Sequence, residues 1–168
     1  MSRTLQLVTF EMGQEEFGVE VGLIQEIVRV PEITWVPEAA WCVEGVINLR
    51  GRIVPVIDLK KRLRLGEVKR SRQSRVLVVE IDKRLVGLLV DAASEVLRLP
   101  TEAIEPPPEM ISGVGIEYLR GVGKLDDRLL ILLDLSRVMD PDEIRRHHKS
   151  VEHATAQPAE ALAGQATR

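Results

Sequence analysis

Short apolar runs, separated by polar turns, recur along the chain and predict strands. Residues 5–12 and 16–19 have the alternation of two strands joined by a turn, which indicates a hairpin. The same pattern returns at residues 75–81 and 85–90. The pattern therefore predicts two similar hairpins, one near the N-terminus and one near the middle of the chain.

A second kind of pattern follows each hairpin. In residues 21–30 the apolar side chains have helix-like spacing, and Pro31 ends the segment, so we expect a short helical turn that leads into a strand. Residues 43–47 and 52–57 are two further strands around a tight turn at residues 48–51. About five short strands per half favour a small β-barrel, because a sheet of this size must close or cover its remaining face.

The chain contains an internal repeat. An offset of 69 positions aligns residues 7–31 with 76–100 without a gap and places Glu26 on Glu95. An offset of 76 aligns residues 45–59 with 121–135, so seven residues are inserted between Pro100 and Gly121. We therefore predict a first barrel at 5–65, a connection at 66–73 and a second barrel at 74–140.

The C-terminal segment differs from both halves. Acidic residues after Asp140 favour a short helix over residues 141–150. Residues 151–168 are rich in Ala, Gln, Glu, Gly and Thr, a composition typical of disorder.

Composition limits the possible classes of protein. The chain of 168 residues is 45% hydrophobic but only 3% aromatic, and its formal net charge is −3, so it offers no general attraction for nucleic acid or anionic membranes. Its single cysteine, Cys42, excludes an internal disulfide and fits a reducing compartment. No apolar run approaches the roughly 20 residues of a membrane span, and the N-terminus has no secretory pattern. We expect a cytoplasmic protein without membrane insertion.

Candidate catalytic groups are few. No histidine lies in either predicted barrel to activate Cys42, and the three histidines, all in the C-terminal segment, have no Cys or carboxylate set to complete a metal site. Asp58 and Asp134 are repeat equivalents that each follow an apolar strand, so caps at strand ends explain them better than acid–base catalysis. We expect no enzyme activity, no catalytic residue, no metal and no cofactor. The histidines are His147, His148 and His153.

A basic cluster occupies residues 60–75, where eight Lys and Arg residues face one acidic residue, Glu67. Such a cluster can bind nucleic acid, but no aromatic residue lies in it to stack on a base. A solvated connector between the barrels is the favoured interpretation, and nucleic-acid binding is the remote alternative.

Three motifs resemble those of the CheW-like chemotaxis coupling proteins. They are GVINLRGRIVPVIDL at residues 45–59, VDAASEVL at 90–97 and YLRGVG at 118–123. The resemblance covers about residues 5–140 and implies a mainly β fold with two intertwined, pseudo-symmetric, five-stranded SH3-like barrels. It also implies an adaptor that couples chemoreceptors to a CheA-type histidine kinase in a signalling array.

The resemblance implies two binding surfaces. One would take the cytoplasmic hairpin tip of a chemoreceptor, and the other, on the first barrel but without assigned residues, would bind the kinase regulatory domain. Other CheW-like proteins of the array are further expected partners, and the location implied is the cytoplasmic side of receptor arrays. A non-flagellar output, such as type IV pilus motility or second-messenger control, stays open. The receptor-binding positions implied are Ile24, Glu26, Ile27, Val28, Gly45, Arg50 and Val96.

Overall fold

The structure is a computed structural model that describes residues 3–37, 39, 41–107 and 118–139. Within these ranges the chain forms eleven strands and two one-turn α-helices. The strands are β1 (Thr4–Met12), β2 (Glu15–Glu20), β3 (Ile24–Arg29), β4 (Val43–Leu49), β5 (Arg52–Asp58), β6 (Arg75–Ile81), β7 (Arg84–Val90), β8 (Ala92–Pro100), β9 (Ile104–Glu105), β10 (Leu119–Leu125) and β11 (Arg128–Leu133). The helices are α1 (Leu59–Arg62) and α2 (Leu135–Val138).

The strands form two sheets, each of which closes on itself. Sheet 1 has the order β3-β6-β7-β5-β4, and sheet 2 has the order β8-β1-β2-β11-β10-β9. In sheet 1, Thr34 lies just beyond β3 and exchanges two backbone hydrogen bonds of 2.8 and 2.9 Å with Val46 in β4, the opposite edge strand. In sheet 2, β9 follows β8 closely and pairs with β10. The predicted mainly β fold with two barrel-like sheets is confirmed.

The two sheets do not coincide with the predicted halves 5–65 and 74–140. Sheet 1 takes β6 and β7 from the second half, and sheet 2 takes β1 and β2 from the first. This exchange of hairpins between the halves is symmetric. The parallel pair of Gly18 in β2 with Leu132 in β11 is the repeat equivalent of the parallel pair of Gly87 in β7 with Val56 in β5. The hairpins β1–β2 and β6–β7 are repeat equivalents with equivalent strand edges, so each can pair with strands of the other half. The sheets are therefore intertwined, and the predicted boundaries do not separate them.

Three apolar clusters hold the sheets together. One lies inside sheet 1, one lies inside sheet 2, and a larger shared core contains side chains from both sheets. In β6, Val76 and Val78 face the sheet-1 core while Leu77 and Val79 face the shared core. Because both faces of this strand are buried, its sequence is a continuous apolar run rather than an alternation.

The repeat extends to the ends of the strands. Glu105 pairs with Val122 as Thr34 pairs with Val46, so Glu105 and Thr34 are structural equivalents. Their separation is 71 positions, between the offsets of 69 and 76, so two of the seven inserted residues precede Glu105 and five follow it. Asp58 and Asp134 cap α1 and α2, accepting backbone N–H groups of Lys61 and Ser136. The cap interpretation is thus confirmed, although the sequence pattern did not predict the two short helices.

The other predicted elements lie partly outside the described residues. The helical turn predicted within residues 21–30 is observed as a single 3₁₀ turn, Val21–Leu23, followed by β3. The helix predicted at 141–150 and the tail at 151–168 fall outside the described ranges. In the part of the chain that the structure describes, no helix is both long enough and apolar enough to cross a membrane.

Candidate functional site

A tight turn between β4 and β5 presents an arginine at the surface. Arg50 and Gly51 both have positive φ angles, 52° and 84°, as a two-residue hairpin turn requires. The side-chain oxygen of Asn48 accepts the backbone N–H of Gly51 at 2.8 Å. The turn predicted at residues 48–51 is therefore present, and its geometry projects Arg50 away from the sheet, where three quarters of its side chain is exposed.

Arg50 pairs with a carboxylate on β3, which lies at the opposite edge of sheet 1 from β4. One guanidinium nitrogen of Arg50 donates to Oε2 of Glu26 in β3, and only 22% of the Glu26 side chain is exposed. The other oxygen, Oε1, is buried and accepts no hydrogen bond from any described residue. A buried carboxylate oxygen without a donor is costly, so the Glu26 carboxylate depends on the positive charge of Arg50.

The ion pair lies at the side of an open groove of about 380 Å³. Three cations and two carboxylates surround it, and its apolar part comes from β4, β6 and β7. Mixed charge around an apolar floor suits a protein surface rather than a small reacting substrate. The lining residues are Gln25, Glu26, Leu49, Arg50, Arg52, Val78, Glu80, Lys83 and Leu85.

A related ion pair occupies the equivalent place in sheet 2. Glu95, the counterpart of Glu26, accepts a hydrogen bond of 2.7 Å from Arg128, which also lies 3.5 Å from Glu16. These two carboxylates raise the pKa of the Arg128 guanidinium, chiefly through the hydrogen bond that Arg128 donates to Glu95. Arg128 aligns with Arg52, however, whereas Asp126 aligns with Arg50. The two sites share a framework and differ in charge.

The predicted residues on β3 divide between its two faces. A bulge after Ile24 shifts the register. Ile24 packs against the shared core, and Ile27, whose strand partner Leu77 belongs to that core, is 39% exposed. Val28 instead packs against the sheet-1 core. Ile27 is therefore exposed on one side of this edge strand, while the partly buried Glu26 lies on the other.

The remaining two predicted residues have different surroundings. Gly45 is buried, and a side-chain carbon there would overlap the carbonyl oxygen of Thr34, so its position is explained by packing. Val96 lies on β8 of sheet 2 and is 60% exposed. The structure thus brings Glu26 and Arg50 together and leaves Val96 on the other sheet, at the place equivalent to Ile27.

Several exposed apolar residues were not predicted from the sequence. Ile53 and Leu129 are repeat equivalents that are 65% and 61% exposed. Trp35 and Trp41 are also more than half exposed. The rarity of aromatic residues in this chain was the available signal for the tryptophans, whereas the apolar strand residues have no sequence feature that separates them from core positions.

The basic segment 60–75 is largely occupied by internal contacts. Lys60 lies 3.3 Å from Asp91, while Lys61 and Arg70 lie 2.9 and 3.3 Å from Glu44. The hydrogen bond to Glu44 is the main cause that raises the pKa of Lys61. These contacts reduce the positive charge offered to a phosphate backbone, which disfavours the nucleic-acid alternative. Among the described residues, no group of three or more His, Cys, Asp and Glu side chains is placed to hold a metal ion.

Arg62 of this segment links the two sheets. Its Nε donates to the carbonyl of Val138 in α2 at 3.0 Å, and its guanidinium carbon lies 4.8 Å from the ring centroid of Tyr118. Both contacts join α1 to elements that flank sheet 2. This cation therefore has a structural place in the fold.

Comparison with known proteins gives matches that span most of the chain. The model of the CheW-like domain matches residues 6–143. The chemotaxis protein CheW of Klebsiella aerogenes is 36% identical over 139 residues, covering 83% of this chain and 84% of that protein. The CheW of Treponema pallidum is 32% identical over 145 residues, covering 84% and 85%.

A solved structure agrees with these sequence matches. The crystal structure of the scaffolding protein TtCheW from Thermoanaerobacter tengcongensis superposes with a TM-score of 0.75 at 36% identity, covering 84% of this chain and 91% of that one. By sequence motifs, fold and relatives together, this chain belongs to the CheW-like domain family.

Proposed function

We propose that this chain is a chemotaxis adaptor that couples chemoreceptors to a CheA-type histidine kinase by binding both, without catalysis. The family membership supports a scaffold role in chemotaxis. The observation that carries the site is the Glu26–Arg50 ion pair at the groove, in which three quarters of the Arg50 side chain is exposed. A partner oxygen that accepts from the exposed Arg50 guanidinium gains a charge-assisted hydrogen bond on docking.

The receptor is the partner assigned to this region. Its cytoplasmic hairpin tip is helical, and a helix binds a groove through apolar anchors while charged groups at the rim set its position. Ile27 and Val96 are exposed apolar residues at equivalent places on the two sheets, and Ile24 lies on the same side of β3 as Ile27. Ile24, Glu26, Ile27, Arg50 and Val96 remain the proposed receptor contacts. Val28 and Gly45 act by shaping the strands that carry them.

The kinase is proposed to bind a surface separate from the receptor contacts. The regulatory domain of the kinase is proposed to bind the barrel of sheet 1, and other CheW-like proteins of the array are further partners. The adaptor acts at the cytoplasmic side of membrane-associated receptor arrays. A role in a non-flagellar pathway would use the same contacts with a different kinase output.

Co-sedimentation tests the adaptor role directly. The purified chain is mixed with a receptor cytoplasmic fragment and a CheA-type kinase, and the kinase in the pellet and its autophosphorylation are measured. Kinase incorporation is expected to require this chain. Full recruitment and activation of the kinase in its absence would contradict the proposal.

Arg50→Glu is expected to weaken receptor coupling by about tenfold or more while the fold stays intact. The change replaces an ion pair of opposite charges by two carboxylates, at positions 26 and 50. Loss of a residue that dominates an interface costs about 2 kcal/mol of binding free energy. The amount of receptor-bound protein reports the effect, and the thermal unfolding midpoint checks the fold.

Two variants serve as controls for Arg50→Glu. Arg72→Glu makes the same charge change at an exposed residue of the connector and should keep coupling. The double variant Glu26→Arg with Arg50→Glu restores opposite charges, so it separates loss of the pair from loss of the individual contacts. Normal coupling by the Arg50→Glu protein would mean that the groove does not bind the receptor.

Removal of residues 151–168 is expected to leave coupling nearly unchanged. The family match ends at residue 143, and the proposed contacts all lie before it. The same co-sedimentation assay compares the shortened and full chains. A large loss on truncation would mean that this segment contacts a partner.

A further inference from the structure

Both tryptophans of this chain lie at its surface, which is unusual for so large an apolar side chain. The exposed fraction is 59% for Trp35 and 55% for Trp41. Exposed tryptophan leaves a large apolar area in water, and tryptophan is enriched among the residues that dominate protein–protein binding. The chain's other aromatic residues are all buried: Phe10, Phe17 and Tyr118.

Trp41 forms part of a small cationic and apolar surface. The guanidinium carbon of Arg64 lies 5.2 Å from the centroid of the Trp41 ring, within the range of a cation–π contact. The next residue, Leu65, is 49% exposed. We call these three residues, Trp41, Arg64 and Leu65, the Trp41 face.

The backbone around the Trp41 face is held by hydrogen bonds. The N–H of Asp58 donates to the carbonyl of Cys42 at 2.9 Å, which ties the segment after Trp41 to the start of α1. After α1, Arg64 adopts a positive φ of 59°, and its N–H donates to the carbonyl of Lys61 at 2.9 Å. Because these hydrogen bonds hold the backbone at Cys42 and Arg64, binding there costs less conformational entropy.

The segment that carries Arg64, residues 60–75, is mainly basic in sequence. Glu44 is occupied by Lys61 and Arg70, as described above. Arg64, Lys69 and Arg72 make no ion pair within the described part of the chain, and the adjacent Glu67 is 3.9 Å from Lys61. A complementary ligand therefore carries carboxylates.

This face is distinct from the Glu26–Arg50 groove. Trp41 precedes β4 and Arg50 follows it, so the two surfaces lie at opposite ends of a seven-residue strand, roughly 20 Å apart at 3.4 Å per residue. The face is also not a product of the repeat. The offset of 76 aligns Trp41 with Glu117 and Arg64 with Asp140, so the aligned positions in the second half are acidic.

We propose that the Trp41 face binds an acidic polypeptide segment. In this complex an aliphatic or aromatic side chain of the ligand packs on Trp41 and Leu65, while a carboxylate of the ligand pairs with Arg64. This second docking surface does not depend on the proposed receptor contacts. Its loss leaves the Glu26–Arg50 groove intact.

Tryptophan fluorescence provides the test. In the Trp35→Phe protein, Trp41 is the remaining tryptophan, so its emission reports on the face alone. The protein is titrated with an amphipathic peptide made of Glu and Leu, and with two matched peptides in which Lys replaces Glu or Ser replaces Leu. Only the Glu/Leu peptide is expected to shift the Trp41 emission to shorter wavelength.

Variants then assign the binding to these side chains. Arg64→Glu and Trp41→Ala, followed by the anisotropy of a labelled Glu/Leu peptide, are each expected to weaken affinity about tenfold or more. Arg98→Glu, at an exposed residue of β8 in sheet 2, is the matched control and should keep the affinity. Thermal unfolding of each variant checks that the fold is unchanged.

Several results would overturn the proposal. They are absence of binding at millimolar peptide, equal binding of the Lys/Leu peptide, and unchanged affinity of Trp41→Ala. A blue shift that depends on protein concentration alone would identify a second copy of this chain as the occupant instead. Displacement of the peptide by duplex DNA would favour a nucleic acid.

Discussion

Gly45→Ala is expected to lower the free energy of unfolding by about 3–5 kcal/mol, because an added Cβ there makes the shortest contact at any glycine that the structure describes. Gly45 has a φ of 147°, and an added Cβ would overlap the carbonyl oxygen of Thr34 and lie 2.9 Å from Cγ2 of Ile33. The atoms in the way are backbone and core, so they cannot turn aside. The bridge between Thr34 and β4, which closes sheet 1, must move.

Chemical denaturation with far-ultraviolet circular dichroism measures this loss. For a chain of this size the midpoint of thermal unfolding should fall by about 10 °C. Gly22→Ala is the matched control, because a Cβ at Gly22 meets nothing within 4 Å, and its stability should change little. Equal stability of the Gly45→Ala and Gly22→Ala proteins would show that the Thr34 bridge yields easily.

Asp58→Ala is expected to cost about 3 kcal/mol, clearly more than the same change at its repeat equivalent Asp134. The carboxylate of Asp58 accepts the N–H of Lys61 at 3.0 Å and that of Val68 at 2.9 Å, and only 1% of the residue is exposed. Its removal deletes a helix cap, worth about 1 kcal/mol, and leaves the buried Val68 N–H without an acceptor, at about 1–3 kcal/mol.

Asp134→Ala is the internal control for this prediction. The Asp134 side chain is 32% exposed and accepts the N–H of Ser136 at 3.1 Å. Its loss should therefore cost only a cap, about 1 kcal/mol. Equal losses at the two positions would mean that the hydrogen bond from Val68 contributes little.

The pH dependence of stability gives a second measurement on Asp58. Burial raises the pKa of this carboxyl above its ordinary value, while the backbone hydrogen bonds from Val68 and Lys61 act in the opposite direction. The folded state thus holds this proton more tightly than the unfolded chain. The stability gained from protonation is fully present below the unfolded pKa and is lost as pH rises through the folded pKa.

Asp58→Asn isolates this contribution, because asparagine does not titrate. Relative to Asp58→Asn, the natural protein is expected to gain stability as pH is lowered from about 7 to about 4. Denaturant unfolding of both proteins at several pH values gives the difference. A relative loss of stability in that range would mean that the hydrogen bonds outweigh burial at Asp58.

Local patterns predicted the strands well, because each depends on neighbours along the chain. The predicted strand at 75–81 is observed as Arg75–Ile81, and the turn at 48–51 has the positive φ angles that its Gly51 allows. The helices α1 and α2 were missed because each is a single turn of four residues. So short a segment has no detectable apolar period.

The site could be predicted only in part. Glu26 and Arg50 were both named from the sequence, but their ion pair joins β3 to the turn between β4 and β5, beside a groove that no local pattern describes. Ile27 and Val28 show why the sequence did not predict which side chains reach the surface. They are adjacent apolar residues, and the bulge after Ile24 decides which of them turns toward the sheet-1 core.

The sequence by itself determined the family, the repeat and the number of sheets, since its motifs and its two offsets are properties of the chain alone. Only the tertiary structure decided which half each hairpin joins. The hairpin β1–β2 and the hairpin β6–β7 present equivalent edges, so pairing with either half satisfies the same backbone groups. Burial of the shared core, to which both hairpins contribute, accompanies the exchanged arrangement and gives one intertwined unit.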